Sequence, residues 1–196
     1  MAYHHGSLRE TLIAAGARIV DTQGSSALRM RGLARDAGVS SAAPFRHFPD
    51  RDALLDAIAE RAGAELDATL DEVAADCSDA LTQFRAMTVA YVRYAAEHPA
   101  LFNLINARSA LSGRFLGQFN DERRLKLITL IVEGQNAGMI PETDPELIAL
   151  TSEALTHGLA SMIANQHPRV QGLGSEDARK LALAATQLLQ TGIGLS

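Results

Sequence analysis

Residues 28–54 read Leu28-Arg29-Met30-Arg31-Gly32-Leu33-Ala34-Arg35-Asp36-Ala37-Gly38-Val39-Ser40-Ser41-Ala42-Ala43-Pro44-Phe45-Arg46-His47-Phe48-Pro49-Asp50-Arg51-Asp52-Ala53-Leu54. Leu33, Ala34 and Ala37 form a short apolar face, Gly38 supplies the positive backbone angle that ends a helix, and Ser40 or Ser41 is placed to cap the next one. Pro44 lacks a backbone donor and is tolerated only within the first turn, so the second helix is expected to begin at Ser40 or Ser41. Two short helices joined this tightly pack at a steep angle, which lets the second enter a DNA major groove while the first rests on the backbone. On that second helix Phe45, Arg46 and His47 face outward, and Ser40, Ser41, Ala42 and Ala43 are small enough for close approach to base edges. The competing reading is a helical hairpin inside an all-α core.

Charge distribution bears on this choice independently. Residues 1–51 carry seven arginines (Arg9, Arg18, Arg29, Arg31, Arg35, Arg46, Arg51) against four acids (Glu10, Asp21, Asp36, Asp50), in a chain whose net charge is −5. A locally basic segment on an acidic protein suits phosphate binding by one small domain, because only clustered charge creates a local attractive field. An unevenly charged, solvated surface is the plainer alternative.

Composition sets the fold class. The chain has 196 residues, 47% of them hydrophobic, with few β-branched runs and no alternating segments, which predicts an all-α protein. No uninterrupted apolar run reaches the ~18 residues of a membrane span, and the N-terminus has no secretory apolar core, so a cytoplasmic location is expected and no membrane partner. The single Cys77 excludes an internal disulfide and a cysteine-based zinc site. No cofactor is expected.

Turn and cap signals predict nine helices. The first runs from about Leu8 to Gln23, with Leu8, Leu12, Ala15, Ile19 and Val20 on one face, and packs across the two helices of the opening stretch. Asp50 caps a long helix in which Leu54, Leu55, Ile58, Ala62, Leu66, Leu70 and Val73 recur every three or four residues to about Ala74. Further helices follow over about 79–97, 100–107, 120–137, 144–166 and 175–191, with 109–117 and 168–174 as loops. The resulting division is a DNA-binding domain over 1–51 and a larger helical domain over 52–196.

Several of these residues carry a family resemblance. Leu33-Ala34, Ala37-Gly38-Val39-Ser40, Phe45, Phe48 and Arg51-Asp52-Ala53-Leu54, behind a helix ending at Gly24, resemble the TetR family of bacterial transcriptional regulators at these spacings. Tyr3-His4-His5-Gly6-Ser7-Leu8-Arg9 is similar to the opening of one subgroup, and Thr156-His157-Gly158 stands where that subgroup often has Trp-His-Gly. The match is strong over the first third of the chain and rests on helix layout beyond it. Phe45 replaces a family Tyr whose hydroxyl often bonds phosphate, Arg29 a Ser or Thr that caps the second helix, and Arg51 a Lys. The resemblance implies a repressor that binds a palindromic double-stranded operator as a homodimer and responds to a small-molecule effector. It assigns DNA contact to Arg29, Ser40, Ser41, Ala42, Phe45, Arg46, His47 and Arg51.

Leu147, Leu150, Thr151, Ala154, Gly158 and Ser161, with Leu181, Ala184, Ala185, Leu188 and Leu189, form small-and-apolar stripes on the last two helices. They are the expected homodimer surface, with packing into the chain's own core as the alternative. Effector-lining candidates are Phe84, Met87, Tyr91, Phe102, Arg108, Phe119, Arg123, His157 and Met162, a set that favours a hydrophobic molecule bearing one polar or acidic group. His98, His157 and His167 form no recognised metal-ligand spacing, so no metal is expected and His157 reads as a core or interface histidine. No Gly-rich phosphate loop, Ser-x-x-Lys or nucleophile elbow occurs, so no enzymatic activity is expected. A helical adaptor or small-molecule-binding protein without specific DNA binding is the alternative function, and an all-helical enzyme a more distant one.

Overall fold

In the computed structural model, residues 5–112 and 121–191 are described, with the side chains of 8–109 and 123–189. Tyr3, His4, Phe115 and the effector candidate Phe119 lie outside them. Eight α-helices occupy the described residues: α1 (His5–Gln23), α2 (Met30–Asp36), α3 (Arg51–Ala75), α4 (Ala80–Glu97), α5 (Pro99–Ser112), α6 (Asp121–Asn136), α7 (Pro145–Ala164) and α8 (Ser175–Thr191). Short 3₁₀ turns lie at Ser25–Ala27 and Pro44–Arg46. The chain divides into two compact units, Met1–Ala64 with Ala100–Leu116, and Glu65–Pro99 with Gly117–Ser196. The division falls within α3.

Caps expected at Asp50 and Asp144 form, and Asp79 supplies a further one. Asp50 Oδ1 accepts the Ala53 amide at 2.8 Å, Asp79 Oδ1 accepts those of Leu81 and Thr82 at 3.0 and 2.9 Å, and Asp144 Oδ1 accepts that of Glu146 at 3.0 Å. Each satisfies amides that have no partner inside the helix. Pro145 sits in the first turn of α7, as the sequence predicts. At the end of α2, Gly38 adopts φ +67°, its amide bonds the Arg35 carbonyl, and the Val39 amide bonds that of Ala34. This is a Schellman closure, and the positive φ is why glycine stands there.

The ninth predicted helix is the main local correction. Residues 41–43 form a turn and Pro44–Arg46 a 3₁₀ turn with no side-chain cap, so neither Ser40 nor Ser41 begins an α-helix. An α-helix would need the amide of residue 44 to bond the Ser40 carbonyl, and proline has none. The Ala43 amide takes that carbonyl instead at 2.9 Å, and Arg46 and His47 follow with i to i−3 bonds at 3.2 and 3.0 Å. The second correction is α5, which runs to Ser112 where a loop was expected from Ser109. Ser109 Oγ donates to the Ile105 carbonyl at 2.8 Å, which lets a residue that often leaves a helix stay inside it.

In the first unit, Leu12, Val20, Leu28, Leu33, Leu54, Leu55 and Ile58 are fully or almost fully buried, and Phe48 closes the core beside them. A Cβ on Gly16 would lie 2.7 Å from Ile58 Cδ1, so α1 and α3 meet at a near-contact distance that glycine permits. In the second unit α4 packs against α6, α7 and α8, with Tyr91, Val92, Ala95, Ala160, Ile163 and Ala182 buried. Among the described residues α7 is the one helix long and apolar enough to cross a membrane by length and composition. Its buried residues Ala149, Ser152, Thr156, Ala160 and Ile163 lie on the side that packs against α4, α6 and α8, and much of the rest of the helix is exposed.

Candidate nucleic-acid interface and effector cavity

The segment after Gly38 presents a row of accessible side chains. Ser40, Ser41, Ala42, Phe45 and Arg46 are exposed and His47 is half-buried, while Pro44 and Phe48 anchor the segment in the core. Phe45 leaves 46% of its surface in solvent, an unusual fraction for a phenylalanine. Ser40, Ala43, Arg46 and His47 share a concave surface with Leu8 of α1, Gly38 and Val39. A small-residue surface with one guanidinium, one imidazole and one aromatic ring can lie in a groove, bond base edges or phosphates, and pack on a thymine methyl.

The two other arginines assigned to DNA have partners within the protein. Arg29 is exposed, and its Nη1 donates to the carbonyls of Ser26 and Leu28. Arg51 donates from Nε to the Leu28 carbonyl at 3.2 Å and from Nη2 to that of Ser25 at 2.5 Å. These bonds tie the first turn of α3 to the α1–α2 link, adding a side-chain donor to the Ser25 carbonyl that also accepts the Leu28 amide. A guanidinium has five donors, so phosphate contact and this clamp are compatible.

The effector candidates separate into two groups. Phe102 and Arg108 lie in the first unit: Phe102 is core, and Arg108 pairs with Asp52 at 2.9 Å and Asp56 at 3.1 Å. Phe84, Met87, Tyr91, Arg123, His157 and Met162 lie in the second. There a cavity of about 310 Å³ is bounded by α4, α6, α7 and the 139–143 link, with Leu189 of α8 at its edge. Phe84, Leu127, Leu130, Ile131, Met139, Ile140 and Leu147 supply most of its wall, and Thr143, Thr151 and Ser152 are the polar side chains. Among the described residues no charged side chain lines it. Phe84 is the one sequence-assigned residue that does, so most of this wall was missed: leucines and isoleucines of α6 and α7 carry the same signal in sequence whether they fill a core or border a void.

Beside it lies a second, water-sized cavity of about 10 Å³, lined by Phe84, Met87, Thr88, Arg123, Leu127, Ser152 and Glu153. Arg123 is 4% exposed and donates to Asp71 Oδ1 at 2.6 Å and to the Asp67 carbonyl at 2.8 Å. Burial raises the Asp67 carboxyl above its ordinary value despite Arg123, 3.4 Å away. For Asp71 desolvation pulls the same way, but the shorter bond from Arg123 and that from Lys126 prevail and lower it. Tyr91 Oη and His157 Nδ1 are 3.0 Å apart. Burial holds the Tyr91 hydroxyl protonated and lowers the His157 imidazole, consistent with a hydroxyl donating to a neutral ring. Among the described residues no group of three His, Cys, Asp or Glu is gathered as a metal site would require.

Leu147, Leu150 and Leu188 are exposed, as are Thr151, Ala154, Gly158 and Ala184, and Leu155 and Leu183 extend the apolar surface. Leu150 leaves 63% of its surface in solvent.

Comparison with known proteins gives this geometry its context. Residues 12–58 match the profile described as bacterial regulatory proteins, tetR family, and residues 84–188 match the tetracyclin repressor-like C-terminal domain. The nucleoid occlusion factor SlmA of Cronobacter sakazakii is 24% identical over 185 residues, covering 90% of this chain and 93% of its own. A Rhodococcus sp. RHA1 structure, described as a protein with unknown function, is 33% identical, covers 98% of both chains and superposes with a TM-score of 0.77. A TetR-family transcriptional regulator from Pectobacterium atrosepticum is 24% identical with a TM-score of 0.72, over 98% of this chain and 96% of that one. With its helix-turn-helix matched at one end and its larger helical domain at the other, the chain belongs to the TetR family of DNA-binding transcriptional regulators.

Proposed function

We propose that the protein is a homodimeric repressor that reads a palindromic operator with the 40–47 segment and is released by a small molecule bound in the second unit. The single observation that carries this reading is the exposed Phe45–Arg46 pair on a core-anchored turn of small residues, inside the part of the chain that matches the family's DNA-binding region. Arg46 and His47 contact bases or phosphates, Phe45 packs on base edges, and Arg29 and Arg51 approach the backbone. The exposed stripe on α7 and α8 supports dimerisation there, since an apolar surface of this extent calls for a partner. A two-fold dimer suits paired half-sites about one helical turn, or a multiple of it, apart. The protein acts in the cytoplasm and has no enzymatic activity in this reading.

Release follows from linkage. An effector that binds the DNA-incompetent arrangement more tightly lowers operator affinity by at most the ratio of its affinities for the two arrangements. The helix α3 begins at Arg51, beside the reading segment, and carries Asp67 and Asp71, which bond Arg123. It is therefore the element through which the two sites are coupled.

Selection of genomic DNA fragments by the purified protein at rising salt tests the proposal. An enriched palindrome that persists as salt rises is the expected result. Retention that is independent of sequence and disappears with salt would refute operator recognition and favour an adaptor.

A further inference from the structure

The two neighbouring cavities of the second unit share Phe84, Leu127 and Ser152 as a common wall, and they differ in character. The larger is an apolar space whose size falls at the small end of ligand sites. The smaller, about one water in volume, reaches Glu153. Glu153 Oε1 is buried and has no hydrogen-bond partner.

The surrounding cations are already committed. Arg123 is held by Asp71 and Asp67, Lys126 by Asp71 at 3.3 Å, and Arg124 by Glu146 at 2.5 Å. His157, one turn further along α7, bonds the Tyr91 hydroxyl of α4. Among the described residues, Glu153 Oε1 is the buried carboxylate oxygen of this group with no hydrogen-bond donor; Arg124, itself paired with Glu146, acts on Glu153 through its charge, while burial raises the Glu153 carboxyl above its ordinary value. A buried acceptor left open is destabilising until a donor reaches it. A carboxylate-bearing molecule would find no free positive charge here and would add a second anion beside the first.

Building on the effector reading above, we propose that the effector is a lipophilic amine: its apolar body fills the larger cavity, and its ammonium takes the place of a water in the smaller one and donates to Glu153. Of the polar or acidic group expected from the sequence, this keeps the polar reading and sets aside the acidic one. A charge-assisted bond to a half-buried carboxylate supplies the discrimination, since the apolar wall accepts any tail of suitable size.

Isothermal titration of the full-length protein with decylamine, decanol and decanoate tests this directly. Decylamine is expected to bind at least about tenfold more tightly than decanoate, with decanol between them, and Glu153→Gln to remove most of the amine preference. Decanoate binding as tightly as decylamine, or an unchanged preference in a cooperatively melting Glu153→Gln protein, would overturn the proposal. The wild-type ranking decides the matter even where the variant does not fold. DNA selection without any amine keeps the two readings apart. Operator binding with no amine preference removes the amine site alone, whereas amine binding without operator selection removes the regulator.

Discussion

At the scale of single residues, the side chains fall into those whose role follows from near neighbours and those whose partners are far along the chain. Asp50, Asp79 and Asp144 belong to the first kind, because a cap bonds amides two or three positions away and the signal lies within one turn. Arg108 and Arg123 belong to the second. Their carboxylates are 52 to 56 positions distant, and no local pattern distinguishes an arginine that meets a ligand from one that ties two helices together. Removing Arg123 leaves the partly buried Asp67 without its cation, so Arg123→Leu is expected to lower unfolding free energy by about 3 kcal/mol in urea titrations. His157 gives a pH signature. Its imidazole is lowered in the folded protein, so the unfolded chain binds the proton more readily, and His157 contributes stability fully above the ordinary imidazole value. That contribution is lost as pH falls from about 6.5 toward the lower folded value. Melting temperature of the wild type is therefore expected to fall more steeply over this interval than that of His157→Gln; parallel curves would exclude the effect.

At the scale of elements, helix positions were legible from apolar spacing, caps and turn signals, although α5 runs past its expected end to Ser112. The 40–47 segment was legible as a link following the Gly38 stop, but not in its backbone kind. Proline in the first turn of a helix and proline within a 3₁₀ turn look alike in sequence, and the difference rests on whether the Ser40 carbonyl is taken by residue 43 or 44. The contact of α1 with Ile58 of α3 was invisible for another reason: Gly16 gives no apolar signal, although only its missing side chain leaves room for Ile58. Gly16→Val would drive two methyl groups toward Ile58, and an overpacking penalty of about 1–3 kcal/mol is expected in denaturant unfolding. On the outer side of the reading segment, Arg46→Ala should leave stability within about 0.5 kcal/mol of wild type while weakening operator binding in anisotropy titrations. Unchanged operator affinity would remove Arg46 from the interface.

At the scale of the whole molecule, the proposed function depends on two copies acting together. Stripes of small and apolar residues on α7 and α8 were legible in sequence, but whether they faced solvent was not, since periodicity marks a face without saying what covers it. Nothing lies within 4 Å of a Cβ placed on Gly158, so Gly158→Val fits the isolated protomer and obstructs only close approach by a second helix. Sedimentation equilibrium is expected to show Gly158→Val and Leu150→Glu displaced toward monomer with melting of each protomer preserved. A dimer of undiminished strength in both would place the interface elsewhere. The most direct test of the central claim is a titration of the selected palindrome and of a scrambled duplex at one fixed salt concentration near physiological. The account predicts two protomers per palindrome and an affinity at least about 10³-fold higher than for the scrambled duplex. Equal affinity for the two duplexes would contradict it.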